Sequence, residues 1–139
     1  MILTFTIEFP NSRDDDEEDM MRKIEIESSS TLDDLHLAIQ QAIDFDNDHM
    51  YEFFVSKNTR SRRKTTYDID SNDVFDITLD DIYPIEAGNK LFYLFDYGDS
   101  WIFKITKTRK TPESAIEGVL YPRVIESIGE NPEQYEECD

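Results

Sequence analysis

Residues Leu91 to Ile105, Leu-Phe-Tyr-Leu-Phe-Asp-Tyr-Gly-Asp-Ser-Trp-Ile-Phe-Lys-Ile, constrain the fold more than any other stretch. They hold the only Trp and five of the sixteen Phe and Tyr residues. Two runs of period-2 alternation flank a polar break at Tyr97-Gly98-Asp99-Ser100, the pattern of a β-hairpin. Leu91, Tyr93 and Phe95 share one face of the first strand, and Trp101, Phe103 and Ile105 share one face of the second. Aromatic cross-strand pairs of this kind bury large apolar areas, so the hairpin predicts the core.

At 139 residues the chain suits a single hydrophobic core. Phe, Tyr and Ile dominate its apolar set, which favours β-structure. Leu3, Phe5, Ile7 and Phe9 alternate with polar residues as a first strand. Ile24 and Ile26 mark a second, with Lys23, Glu25 and Glu27 turned outward. Asp14 to Asp19, six consecutive acids, must lie in a solvated loop joining the two. Adjacent carboxylates without a turn-forming glycine converge poorly, which argues against a calcium loop there.

Thr31 caps a helix whose Leu32, Leu35, His36, Ile39 and Ile43 form one apolar stripe, with Asp33 and Asp34 in its first turn. Tyr51 to Val55 reads as a third strand. Lys57, Arg60, Arg62, Arg63 and Lys64 then cluster without aromatic neighbours, as expected of a hairpin tip. Asp68 opens like an EF-hand loop, but Asp73 stands at the glycine position and Leu79 at the bidentate glutamate position, so the match fails. Val74 to Ile77 suggests a short edge strand. Thr78-Leu79-Asp80-Asp81 nearly repeats Thr31-Leu32-Asp33-Asp34 and reads as a second capped helix start. The expected fold is α+β, a mostly antiparallel sheet of five or six strands on one main helix (about 31–44) and a short second helix (about 79–83). Residues 1–111 form the core domain, and 112–139 an irregular, acidic, partly docked tail.

Thirty-two acidic against fourteen basic residues give a formal charge of −18. That field repels nucleic acid and anionic membranes. It fits solubility, a basic protein partner, or imitation of nucleic acid. No apolar run approaches the roughly 20 residues of a membrane helix, and the alternating start does not read as a signal peptide. A cytoplasmic protein is expected. Cys138, the single cysteine, can make no internal disulfide or zinc site. Neither histidine has metal-ligand spacing, so no metal or cofactor is expected.

Three stretches together resemble the plasmid pRiA4b ORF-3-like family of plasmids and insertion elements. Thr31-Leu32-Asp33-Asp34-Leu35-His36, running on to His49 and Phe53, is similar to its T-L-x-D-L-H helix and the G-W-D-x-x-H-L-x-x-F that follows. Phe92 to Trp101 is similar to F-x-Y-x-Y-D-F-G-D-x-W, with Asp96, Gly98, Asp99 and Trp101 in place. Tyr121-Pro122-Arg123 resembles the start of a terminal Y-P-x-C segment, although Val124 replaces the first cysteine and Asn131 the second. Met21-Arg22-Lys23 stands where the family often has Trp-Arg-Arg. The resemblance implies a sheet packed on helices and no established reaction. His36, His49, Asp96, Asp99 and Trp101, the motif residues, make the candidate site. The favoured expectation is a non-enzymatic interaction module of mobile-element origin, binding through the aromatic sheet edge or an acidic face. An acidic mimic of nucleic acid is the alternative, and an enzyme using His36, His49, Asp96 and Asp99 a further one. For His36 the plain reading is a hydrogen-bonded core histidine.

Overall fold

The computed structural model describes residues 1–9 and 20–132. The acidic run Asp14 to Asp19 and Cys138 lie outside the described residues. The strands are β1 (Ile2–Phe9), β2 (Met20–Glu27), β3 (Tyr51–Ser56), β4 (Thr65–Asp68), β5 (Lys90–Phe95), β6 (Trp101–Lys107) and β7 (Arg123–Ile128). They form one sheet in the order β4-β3-β5-β6-β1-β2-β7, and each neighbouring pair is antiparallel. The helices are α1 (Leu32–Ile43) and the single turns α2 (Asp73–Asp76) and α3 (Leu79–Ile82).

Register decides which side chains are dry, because residues directly opposite one another point to the same face of a sheet. Leu91 opposes Ile105, Tyr93 opposes Phe103, and Phe95 opposes Trp101. Phe53 faces Tyr93 across β3 and β5, Ile7 faces Ile105, and Phe5 faces Ile24. These side chains form one continuous apolar face, nearly all of it buried. α1 lays Leu32, Leu35, His36, Ile39 and Ile43 against it.

The fold is α+β with one main helix, as expected, and its sheet has seven strands rather than five or six. Both extra strands lie at the edges. β4 closes a hairpin with β3, whose tip carries the exposed cationic residues 57–64, with the Lys64 ammonium 4.8 Å from the Phe54 ring centre. β7 comes from the segment read as irregular and pairs with β2. The hairpin β5–β6 is interior, flanked by β3 and β1, so it offers no aromatic sheet edge to a partner. Val74 to Ile77 is not an edge strand either. Asp68 Oδ1 accepts from the Ser71 amide and hydroxyl, Asn72 adopts a left-handed conformation, and the chain enters α2 with Val74 buried. A short apolar run cannot by itself separate these outcomes.

The near-repeat at Thr31 and Thr78 has a geometric basis. The Asp34 amide donates to Thr31 Oγ1 (3.2 Å) and the Thr31 amide to Asp34 Oδ2 (3.0 Å), a reciprocal capping box. At α3 the Thr78 amide and hydroxyl both donate to Asp81 Oδ2. The two starts then pair as an antiparallel bridge. The Leu32 amide donates to the Ile77 carbonyl and the Leu79 amide to the Ser30 carbonyl. Each helix thus satisfies a first-turn N–H that its own hydrogen bonding leaves open. Thr31→Ala is expected to lower unfolding free energy by about 1 kcal/mol in urea titration, whereas an unchanged midpoint would show that the cap contributes nothing.

Candidate functional site

The polar residues of the motifs divide into a buried group under α1 and a group at the β5–β6 turn. His36 is 1% exposed. Its ring stacks on Tyr51, with centroids 3.6 Å apart and planes 5° from parallel. Tyr93, on the interior strand β5, brings its hydroxyl to His36 Nδ1 at 2.5 Å. The same hydroxyl accepts from Gln40 Nε2 at 2.9 Å, so its proton points to Nδ1. That makes Nδ1 an acceptor and leaves the ring proton on Nε2, which donates to Asn47 Oδ1 at 2.9 Å. One tautomer of a neutral imidazole therefore satisfies every contact. Tyr51 in turn donates to Asp33 Oδ1.

Burial is the main force on the ionisations here. It lowers the pKa of His36 from 6.5 to about 4, opposed by the hydrogen bond to Asn47 and by the charge of Asp33. Burial likewise holds Tyr93 and Tyr51 above the usual phenol range, and for Tyr51 the bond to Asp33 adds to the effect.

The second group is organised by Asp96. This residue adopts a left-handed conformation (φ 66°), which a short carboxylate side chain tolerates. Its amide donates to the Met50 carbonyl. Its Oδ1 accepts from the amides of Gly98 (3.0 Å) and Asp99 (3.3 Å), the turn-capping role that Asp often fills. A Cβ added at Gly98 would lie 3.3 Å from that same oxygen, which is why a residue without a side chain suits the position. Asp96 Oδ2 lies 3.4 Å from His49 Nε2, and Asp48 Oδ1 lies 3.6 Å from it.

Of the five candidates, His49 and Asp96 come together. His36 turns inward to Tyr93 and Asn47, and Phe95 touches both imidazoles, at centroid distances of 6.2 and 5.9 Å. Asp99 is exposed. Trp101 packs between Phe9 and Phe45 at 5.2 and 5.1 Å. Ser100 donates its hydroxyl to the Tyr97 carbonyl. Among the described residues, no three His, Cys, Asp or Glu side chains gather as metal ligands do, and no helix is long and apolar enough to cross a membrane.

Sequence reading missed Asn47, Tyr51 and Tyr93 as partners of His36, and Gln40 and Asp33 as the residues that hold those tyrosines. The signal was present for Gln40, one helical turn beyond His36, and for Tyr93, whose inward hydroxyl required a partner. It also missed Glu25, read only as an outward acid of β2. Glu25 is buried under Arg123 Nε (2.6 Å) and Lys110 Nζ (3.6 Å), which tie the C-terminal segment to the outer face of the sheet.

Two outcomes follow from the buried group. His36 is neutral in the folded chain down to about pH 4, whereas the unfolded chain takes up its proton near 6.5. The stabilisation is therefore complete above pH 6.5 and is lost as pH falls from 6.5 to 4, by about 3 kcal/mol. Urea titrations across that window should show a shallower pH dependence for His36→Gln than for the wild type; equal slopes would contradict this. Tyr93→Phe removes a hydroxyl that serves two buried partners and should cost about 2 kcal/mol, read as a lowered denaturation midpoint.

The fold has a counterpart among solved structures. The crystal structure of a protein of unknown function, MM3350 from Methanosarcina mazei Go1, superposes with a TM-score of 0.72, at 23% identity, over 91% of this chain and 68% of that one. At that identity the likeness concerns the fold. No curated protein matches the sequence. The model of the family described as plasmid pRiA4b ORF-3-like protein matches residues 5–139. With nearly its whole length matched, the chain belongs to the plasmid pRiA4b ORF-3-like family.

Proposed function

We propose that this protein is a non-enzymatic interaction module whose acidic surface selects a basic protein partner. The observation that carries the reading is the use made of the motif's polar groups. His36 is sealed beneath α1 with both ring nitrogens engaged, so a substrate in solvent has no path to it. Asp96 commits Oδ1 to two backbone amides of its own turn, and its Oδ2 faces His49 at 3.4 Å. A constellation built for catalysis would converge on an accessible cleft, and these residues hold the hairpin and the helix in place.

The charge of −18 then becomes the main recognition feature, since a strong field of one sign accelerates and selects partners of the other. The outer face of the sheet carries interleaved pairs, Lys104 with Glu8 and Lys23 with Glu126. Such alternation does not resemble a phosphate backbone, and it favours a protein partner over mimicry of nucleic acid. Oligolysine serves as the simplest probe. It is expected to bind at low ionic strength and to lose affinity progressively with added salt as screening shortens the reach of exposed charges. An absence of binding in low salt, measured by calorimetry, would remove the proposal.

A further inference from the structure

The sheet has two edges, and they are finished differently. β4 is four residues long, follows the cationic turn 57–64, and has α2 beside it. Short length, flanking charge and a covering element are how natural sheets keep an edge from recruiting another strand. β7 is longer, at six residues, and its charge is confined to Arg123 and Glu126, with a bulge in its pairing to β2. Among the described residues it pairs on one side only, with β2. Its Val124, Ile125 and Ile128 are 44%, 43% and 40% exposed. Beside it a trough of about 200 Å³ opens between β7 and α1, lined by Ile24, Ala38, Ala42, Pro122 and Val124 with Gln41 and Arg123 among them. Alanines at the two helical positions leave room that larger side chains would fill.

The strand is also held firmly. Arg22 donates to the carbonyls of Ile128 and Gly129 and to Asn131 Oδ1. At the other end Arg123, at the rim of the trough, is neutralised by Glu25. An edge ordered in advance loses little freedom when another strand pairs with it.

We propose that the outer edge of β7 receives an extended segment of a partner protein as an eighth strand, with apolar side chains alternating with Lys or Arg. This rests on the reading of the protein as a binder of basic partners and names the surface it uses. Main-chain hydrogen bonds supply the affinity of such strand addition, and alternate side chains supply its selectivity. Charge selects the occupant. Residues 112–132 carry Glu113, Glu117, Glu126 and Glu130 against Arg123 alone. A second copy, itself at −18, would approach against repulsion, whereas a cationic segment is attracted.

The test uses a phage-displayed library of short linear peptides panned on the full chain. Selected sequences should alternate apolar and basic residues, and a synthetic version should slow amide exchange at 123–128. Ile125→Glu should weaken that peptide by roughly tenfold or more, although it adds a charge that would strengthen a purely electrostatic contact. Val124→Glu serves as the second variant if Ile125→Glu does not fold. A library without binders, selected peptides without alternation, or a peptide that binds wild type and variant equally would overturn the proposal. So would a dimer of the wild type that Ile125→Glu dissociates, since the edge would then join two copies. Oligolysine separates the two levels: if it binds while no peptide depends on β7, the edge assignment fails and the acidic-surface reading stands. If oligolysine also fails, both fall.

Discussion

The hydroxyl of Tyr93 is the polar group on which the packing depends. It lies on β5, an interior strand of the seven-stranded sheet, where an unpaired oxygen would cost several times what an ordinary hydrogen bond contributes. Gln40 and His36 supply its donor and acceptor from successive turns of one helix. This fixes the rotation and the height of α1 over the sheet more narrowly than apolar contact could, because hydrogen bonds have direction and hydrophobic burial does not. The stack of His36 on Tyr51 extends the same constraint to β3. α1 is the only helix longer than one turn among the described residues, so its placement settles which parts of the sheet are covered.

A single helix cannot cover seven strands, and the remainder is handled locally. α2 and α3 fill the space beside α1, joined to it by the bridge between their capped starts. On the outer face, Phe54 and Phe92 stack and Lys64 lies against Phe54. Charged pairs occupy much of the rest. At the β2 side the C-terminal segment is fastened by Arg22 and by Glu25 with Arg123 and Lys110. The consequence is an asymmetric sheet: among the described residues β4 has α2 beside it, whereas β7 pairs on one side only and borders a trough. The candidate residues belong to this architecture: Asp96 and Gly98 shape the turn, Trp101 packs on Phe9 and Phe45, and His36 anchors the helix.

Much of the fold was legible because the deciding interactions were local. Alternation announced β1, β5 and β6, and the apolar stripe from Leu32 to Ile43 announced α1. The repeated Thr-Leu-Asp-Asp announced two helix starts. β4 and β7 were legible only in part, as the far side of a hairpin tip and as a partly docked tail. Thr65 to Asp68 has little apolar alternation, and β7 follows a segment rich in Pro and Gly; each becomes a strand because a neighbouring edge supplies its hydrogen bonds. Val74 to Ile77 was misread because a turn capped by Asp68 and Ser71 directs the chain into a helical turn.

The candidate site divides along the same line. By itself the sequence determined the charge, the hairpin with Asp96 and Gly98 in its turn, and a histidine on an apolar helix face, since these depend on composition and short spacing. Only the tertiary structure decided that His36 meets Tyr93, fifty-seven residues away, that Glu25 is covered, and that β7 pairs with β2 while Val124, Ile125 and Ile128 stay exposed. These follow from strand order and register over long separations, where one residue of slip would turn every side chain to the opposite face.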